Sequence, residues 1–285
     1  MTEAEKRIRI TSDSTCDLSK SLLTSQGIAV IPLYVVKDGV SYADGIQITP
    51  DEIFDHVKAG GTLCTTAAVN VADYIDFFTR IKESCEEIVH FTISSEMSSC
   101  YKNACIAAEE VGGVYVIDSR TLSSGIGHLV LDAAQLAQEG KNGVEIFNII
   151  EARKSKLNVS FILDTLDYLR KGGRCSAVAA LGANLLHLKP CIEVREGKMG
   201  VAKKYRGKLT DVLVQYVKDK LSDPAAVDPR RIFITDSGVS DELYEQVRQA
   251  VLACIPDAEV HHTRAGCTVS SHCGPQCLGI LFYNR

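Results

Sequence analysis

The sequence has no tryptophan, only eight phenylalanines in 285 residues, and no long apolar run. A membrane-spanning helix needs about 18 or more consecutive apolar residues, and no window of the chain approaches that length. The first residues, "MTEAEKRIRITSD", also lack the apolar stretch of a secretory signal peptide. We therefore expect a cytoplasmic protein with a large, mostly aliphatic core.

Basic charge is scarce as well. The chain carries 31 lysines and arginines against 36 aspartates and glutamates, a formal net charge of −5. Nucleic-acid-binding proteins usually display a basic surface or a recognisable motif. The sequence shows no long basic run, no zinc-finger spacing and no RNP-type aromatic strand, which argues against nucleic acid as a partner.

The familiar signatures of nucleotide and hydrolase chemistry are missing. No G-x-x-x-x-G-K-[ST] sequence is present, which excludes a P-loop, and "GIG" at 125–127 lacks the rest of a dinucleotide-binding fingerprint. The nucleophile elbow G-x-S-x-G does not occur either. Aspartates that follow predicted strands, such as Asp13, Asp17 and Asp236, fit caps and turns better than a catalytic pair. No cofactor and no metal are therefore expected.

Eleven cysteines are spread along the chain, an odd number in a sequence too long for a small disulfide scaffold. We expect free thiols that behave as small buried hydrophobic residues. The densest stretch is "RAGCTVSSHCGPQC" (264–277), in which His272 lies among three cysteines. A zinc site would need C-x2-C-like pairs with further ligands, and a thioredoxin-like pair needs C-x-x-C at the start of a helix. Neither pattern is present, so a metal or redox protein is the weaker alternative.

Strands and helices alternate along the chain. β-branched runs such as "RIRITSD" are followed by amphipathic segments such as "SGIGHLVLDAAQLAQE", a pattern typical of α/β folds with mostly parallel sheets covered by helices. The length favours two domains, which we place at residues 1–157 and 158–285. Two hairpins are predicted, one at Asp38-Gly39 and a small insertion near 191–205 that turns at Glu196-Gly197.

Two helices are predicted from local signals. "TPDEIFDHVKAGG" has Thr49 as N-cap, Pro50 at the first helical position, Glu52 at capping-box spacing and glycine at the end. "AVAALGANLLHL" (177–188) predicts a second helix from its apolar pattern.

Hydroxyl-bearing residues collect where predicted strands and helices end. In parallel α/β sheets, ligands bind beyond the carboxyl ends of the strands. The serines and threonines near such ends are Thr65 and Thr66, Ser94 and Ser95, Ser98 and Ser99, those of "SRTLSS" (119–124) and those of "AGCTVSSHCGP" (265–275). Hydroxyl and backbone N–H donors suit an anion, although any single one of these residues can equally be a helix cap. Their accumulation predicts an anion-binding cleft.

Two basic segments stand out in an acidic chain. "LRKGGRC" places Lys171 and Arg174 around a Gly-Gly helix stop, and "AKKYRGK" places Lys203, Lys204 and Arg206 at the end of the second hairpin. Such residues often form only a solvated face. The functional interpretation is contact with a phosphate-bearing partner at the cleft, because the arginine fork matches phosphate oxygens.

An ordered set of motifs resembles one family over residues 8–283. The motifs are "ITSDSTCDL", "CTTAAV", "ISSEMSSCY", "IDSRTLSSGIG", "LRKGGR", "LKPCIEVREGKM" with "KKYRGK", and "HCGP". Their order is typical of the DegV family, the bacterial fatty-acid-binding proteins that serve as FakB subunits of fatty acid kinase. The resemblance implies a two-domain α/β protein that holds one fatty acid in an apolar tunnel between the domains. It further implies that the carboxylate is bound by Thr65, Ser94 and His272, with Thr66 and Ser95 beside them.

The resemblance also implies a protein partner. The chain would be a carrier without catalysis of its own, which presents the bound acid to a separate ATP-dependent kinase that makes an acyl-phosphate for phospholipid synthesis. Arg174 and Arg206 look like the arginines that serve phosphoryl transfer or partner contact. A transient contact with the membrane surface is a further expectation. The alternative is a phosphotransferase that acts on a small anionic substrate in its own right.

Three motifs depart from the family's usual pattern. The family usually has T-S-Q-P-S where this chain has "TTAAV" (65–69), L-S-G-T-Y where it has "MSSCY" (97–101), and H-x-G-P-G where it has "HCGPQ" (272–276). The first two keep the implied carboxylate ligands and alter the loops, which bears on the preferred chain length. Gln276 in place of glycine is expected to change the backbone beside His272.

Overall fold

The computed structural model describes residues 8–176 and 188–285, so the helix predicted over 177–188 lies, apart from its last residue, outside the described residues. The strands are β1 (Ile8–Asp13), β2 (Ala29–Ile31), β3 (Tyr34–Lys37), β4 (Val40–Ala43), β5 (Thr65–Ala67), β6 (Glu87–Thr92), β7 (Val114–Asp118), β8 (Leu157–Ile162), β9 (Leu188–Arg195), β10 (Lys198–Arg206), β11 (Val227–Asp236), β12 (Val260–Arg264) and β13 (Leu278–Asn284). The α-helices are α1 (Lys20–Ser25), α2 (Pro50–Lys58), α3 (Val71–Lys82), α4 (Cys100–Val111), α5 (Ser124–Gln138), α6 (Gly143–Arg153), α7 (Asp167–Gly172), α8 (Leu209–Lys220), α9 (Asp241–Cys254) and α10 (Cys267–Cys273). None of these described helices has the length and hydropathy needed to cross a membrane.

The first sheet is the parallel sheet that the sequence predicts. Its strands lie in the order β2-β1-β6-β7, and each pairs in parallel with its neighbours. β1 and β6 are buried along most of their length, as expected for a sheet covered on both faces. Helix α5 packs against this sheet and also contacts β8 and β13. It is therefore buried on nearly all sides and joins the two halves of the chain in one core.

The second sheet differs from the predicted parallel arrangement. Its described strands lie in the order β10-β9-β8-β13-β11-β12, and among them only β11 and β12 pair in parallel. The predicted turn at Glu196-Gly197 joins β9 to β10, and it is too short for the crossover that parallel neighbours require. β13 lies between two strands that are remote from it in sequence, so strand–helix alternation does not indicate its direction. The predicted domain boundary at residues 157 and 158 falls at the start of β8.

The third sheet is small and antiparallel, in the order β4-β3-β5. β3 and β4 form the hairpin predicted at Asp38-Gly39, and both turn residues have the positive φ that such a two-residue turn requires. β5 pairs with the other edge of β3 and places Thr66 opposite Val35. Val35 belongs to a small separate core that includes Cys267 of α10, so this sheet supports the helix that carries His272.

Helix α2 begins as predicted. Thr49 caps it, Pro50 is its first residue, and the backbone N–H of Thr49 donates to Glu52 Oε2 at 2.7 Å to complete the capping box. α2 in turn contacts α10.

Candidate ligand-binding site

A mostly apolar cavity lies at the carboxyl end of the first sheet. It contains about 540 Å³ of empty space, part of it open solvent. The lining residues are Leu33, Thr66, Ala67, Ala68, Ile93, Met97, Ser98, Leu122, Arg174, Met199, Thr268, Val269, His272 and Cys273. This is the edge at which parallel α/β sheets bind ligands, and apolar walls with a few polar groups are usual in small-molecule sites.

A second cavity shares part of its wall with the first. The two share Leu122, Val269 and Cys273, and the second extends to Phe161 and Leu281 on strands of the second sheet. It adds about 330 Å³ of empty space, part of it open solvent. The walls of the second cavity are also mostly apolar, and its polar lining residues are Ser123, Thr235, Asp236 and Ser237.

Thr66 and His272 meet in the first cavity. Thr66 Oγ1 lies 2.8 Å from His272 Nε2, within hydrogen-bonding distance, although the residues are 206 positions apart. Burial, and secondarily the charge of Arg174, lowers the pKa of His272 to about 4. The imidazole is therefore neutral at pH 7. Its other nitrogen, Nδ1, is buried and has no hydrogen-bond partner among the described residues.

The glycines of "LRKGGRC" make room for this imidazole. α7 ends at Gly172, and a Cβ at that position would lie 2.1 Å from His272 Nδ1. Gly173 follows with a φ of 68°, the left-handed conformation that favours glycine at a helix end. The motif thus has a structural use that its sequence does not reveal, because it allows α7 to approach the ring of His272.

The two predicted serines after β6 hydrogen-bond outside the cavity. The Ser94 hydroxyl is buried and donates to the carbonyl oxygen of Gly197 at 2.8 Å. The Ser95 hydroxyl is exposed and donates to Asp118 Oδ2 at 2.5 Å. A different serine of the same loop, Ser98, lines the cavity.

Of the remaining predicted residues, one lines the cavity and two lie outside it. Arg174 lines the cavity, is exposed, and donates to the carbonyl oxygen of Gly172 at 2.5 Å. Thr65 precedes Thr66 on β5, is exposed, and lies outside the cavity lining. Arg206 is exposed at the end of β10, also outside the lining.

One further polar residue of the cavity is Thr268, which the sequence placed in the hydroxyl-rich segment 265–275 but did not single out as a ligand. Its side chain is buried, and Oγ1 has no hydrogen-bond partner among the described residues. Thr268 stands four positions before His272 on α10, so the two lie on one face of the helix. That spacing was the signal available in the sequence, once the segment was recognised as a helix.

The cysteines around His272 are buried thiols. All eleven cysteines of the chain lie in the described ranges, and none of them forms a disulfide bond. Hydrogen bonding to Cys273, together with burial, raises the pKa of Cys277 well above its ordinary value. A protonated thiol is a poor nucleophile and a poor metal ligand. In residues 8–176 and 188–285 no three histidine, cysteine or acidic side chains are grouped so that they could hold a metal ion.

Sequence comparisons point to one family. The model of the DegV family, described as an uncharacterised protein family, matches residues 7–285. A DegV domain-containing protein of Deinococcus radiodurans is 31% identical over 280 residues, which cover 96% of this chain and 97% of that relative.

Two solved structures of similar fold are both of fatty-acid-binding proteins. A DegV family protein from Thermus thermophilus, described as fatty-acid-binding, matches with a TM-score of 0.90 at 31% identity and covers 98% of this chain and 100% of its own. A stearic acid-binding protein from Eubacterium ventriosum matches with a TM-score of 0.86 at 26% identity, over 97% of this chain and 98% of its own. The mixed α/β fold is thus that of these proteins, and the chain belongs to the DegV family.

Proposed function

We propose that this protein binds a long-chain fatty acid, with the carboxylate at Thr66 and His272 and the acyl chain along the two adjoining cavities. The observation that carries the proposal is a hydroxyl–imidazole pair set in a largely apolar space. The likeness to the fatty-acid-binding protein of Thermus thermophilus supports the same ligand class.

The chemistry of the walls suits a carboxylate with a long tail. Thr66 and the neutral imidazole of His272 are hydrogen-bonded to each other, which leaves the pair one O–H or N–H to donate to a carboxylate oxygen, and Arg174 supplies positive charge at the exposed end. Thr268 and Ser98 offer further hydroxyls. Each buried methylene contributes about 0.8 kcal/mol, so about fourteen methylenes contribute on the order of 11 kcal/mol before the costs of association. Such a ligand remains bound through purification.

The protein acts in this proposal as a carrier in the cytoplasm that presents the carboxylate to a separate ATP-dependent fatty acid kinase. Arg174 and Arg206 are exposed, as residues that contact a partner or its phosphoryl group must be. The absence of a P-loop from the sequence favours a partner as the source of the nucleotide. The weak, largely uncharged hydrogen bonding at Thr66 and His272 leaves the carboxylate nucleophilic for that partner.

The test is denaturing mass spectrometry of the purified protein, followed by titration of the delipidated protein with a long-chain fatty acid. We expect one fatty acid per chain, and a loss of about tenfold in affinity in each of Thr66→Ala and His272→Ala, the size of one hydrogen bond to a charged group. Thr65→Ala is the matched control, since this neighbouring threonine is exposed. A protein that carries no acyl chain and binds none would refute the proposal.

A further inference from the structure

Helix α10, which carries His272, receives its N-terminal cap from two remote aspartates. The backbone N–H of Gly266 donates to Asp17 Oδ1 at 2.8 Å. The N–H groups of Cys267 and Thr268 donate to the two carboxylate oxygens of Asp44 at 2.8 and 3.0 Å. The first N–H groups of a helix have no partner within the helix, and Gly266 has no side chain to provide one. All three donors are therefore satisfied from residues more than 200 positions away.

Both carboxylates are buried, and each also accepts a hydrogen bond from a serine hydroxyl. Asp17 and Asp44 are 6% and 5% exposed. The hydroxyl of Ser123 donates to Asp17 Oδ2 at 2.5 Å, and that of Ser14 donates to Asp44 Oδ2 at 3.0 Å. A buried carboxylate with every oxygen engaged has a fixed orientation, because losing any of these bonds leaves a buried polar group unsatisfied.

Gly266 lets the helix approach these carboxylates. A Cβ at this position would lie 3.0 Å from Asp17 Oδ1 and 3.5 Å from Asp44 Oδ1. The φ of Gly266 is −67°, which any residue adopts. Space for the two carboxylates, and not backbone conformation, is therefore what the glycine provides.

The cap bears on the carboxylate site because α10 is short. A helix of seven residues is only about 10 Å long, so a tilt at its start moves its whole length. His272 lies at the other end, with its imidazole 2.8 Å from Thr66 of a different sheet. If the imidazole moved away from Thr66 by about 0.7 Å, the two atoms would be too far apart for a good hydrogen bond.

We propose that Asp17 and Asp44 are positioning residues, which act through α10 to hold the His272 imidazole against Thr66 for recognition of the ligand carboxylate. The assignment rests on the proposed function for its ligand. The geometry of the cap itself stands on the described contacts.

The two aspartates differ in how they tolerate an amide, which gives a graded test. Asp44→Asn must place an NH2 group against the N–H of Cys267 or Thr268, because both carboxylate oxygens accept backbone N–H groups. Asp17→Asn can keep both contacts, since its amide oxygen accepts from Gly266 and its NH2 group donates to the hydroxyl of Ser123. The positioning role therefore predicts a larger effect for Asp44→Asn than for Asp17→Asn.

The experiment measures the affinity of delipidated protein for palmitic acid and for hexadecanol, which has the same chain without a carboxylate. We expect Asp44→Asn to weaken palmitic acid by about tenfold, hexadecanol by much less, and Asp17→Asn to have the smaller effect on the acid. In a His272→Ala background, Asp44→Asn should cause no further loss for the acid, since the interaction it acts through is gone. Asp76→Asn, an exposed substitution on α3, is the matched control.

A second readout needs no ligand. The imidazole resonance of His272, assigned by its absence from His272→Ala, should shift in Asp44→Asn and stay in place in Asp76→Asn. An unmoved resonance in a folded Asp44→Asn protein, or an equal loss with and without His272, overturns the proposal. If Asp44→Asn does not fold, Gly266→Ala is measured in the same way, since its methyl displaces the same cap. Failure of the wild-type protein to bind palmitic acid would refute the proposed function, whereas the resonance would still decide the positioning role.

Discussion

At the scale of single residues, the turn after α10 contains a residue in a conformation that costs energy. Gly274 and Gln276 have φ values of 73° and 57°. Glycine adopts this left-handed region freely, whereas other residues pay roughly 1 kcal/mol or more. The resemblance drew attention to Gln276 as a departure from the family's glycine, and the structure places it in this region, four residues after His272.

We expect Gln276→Gly to raise the free energy of unfolding by up to about 1 kcal/mol, because it removes the strain at positive φ. Part of this gain is offset, since glycine increases the conformational entropy of the unfolded chain. The measurement is urea denaturation. Gly274→Ala is the opposing control and should destabilise, because its Cβ would lie 2.7 Å from the ring of Tyr168. A lower denaturation midpoint for Gln276→Gly would show that the glutamine side chain contributes more than the strain costs.

Ser94 offers a second prediction at this scale, because the family resemblance and the structure give its hydroxyl different partners. In the structure the hydroxyl holds the hairpin turn through Gly197. Ser94→Ala should therefore lower the free energy of unfolding by about 1 kcal/mol and reduce fatty-acid affinity less than Thr66→Ala does. Denaturation and titration of the two variants side by side decide between the roles. An affinity loss equal to that of Thr66→Ala would make Ser94 a carboxylate ligand.

At the scale of elements, the end of α7 and the end of α10 fit together at one glycine. The neighbouring glycines of "KGG" have different reasons to be there. Gly172 leaves space for the imidazole of His272, whereas Gly173 has a positive φ and no neighbouring atom within 4 Å of an added Cβ. One is required by packing at the site, the other by backbone conformation alone.

These two glycines make a matched pair. Gly172→Ala should weaken fatty-acid binding by about tenfold or more, since its Cβ would displace the His272 ring and cost at least one hydrogen bond. Gly173→Ala should lower stability by about 1 kcal/mol with unchanged affinity. Isothermal titration together with thermal denaturation separates the two effects. The same loss of affinity in both variants would contradict the packing role of Gly172.

At the scale of the whole molecule, α5 packs against both the first and the second sheet and buries a histidine against the second. His128 lies against the rings of Phe233 and Tyr283, with Nε2 3.0 Å from the carbonyl oxygen of Leu281. Burial lowers its pKa to about 4 from an ordinary value of 6.5. The folded protein thus holds this imidazole neutral over a pH range in which the unfolded chain protonates it.

The consequence is acid sensitivity of the folded state. Between pH 6.5 and pH 4 the unfolded chain binds a proton at His128, whereas the folded protein keeps this imidazole neutral. This residue therefore lowers the free energy of unfolding as the pH falls through that range. The loss reaches about 2 kcal/mol at pH 5 relative to pH 7. In His128→Gln the change in urea midpoint between pH 7 and pH 5 should be smaller than in the wild type. An identical change in both proteins would show that the histidine is not held neutral.

Local signals predicted the elements that depend on local chemistry. The capping box at Thr49, the hairpins at Asp38-Gly39 and Glu196-Gly197 and the parallel first sheet all follow from residue types at short spacing. The direction of β13 did not, since its neighbours are set by packing of distant segments. The motif resemblance singled out Thr65, Ser94 and His272, with Thr66 and Ser95 beside them. Only the tertiary structure showed that Thr66 and Ser98 line the cavity with His272, whereas Thr65 and Ser94 do not.

The amino-acid sequence by itself determined the class of this protein. Its alternating apolar pattern, its turn residues and its ordered motifs specify an α/β fold of the DegV family. The tertiary structure alone decided the site, because hydrogen bonds act over about 3 Å and the pairs that form it are some 200 positions apart: Thr66 with His272, and Asp17 and Asp44 with the start of α10. Spacing along the chain does not reveal such pairs, since they depend on how distant segments of the chain pack around one short helix.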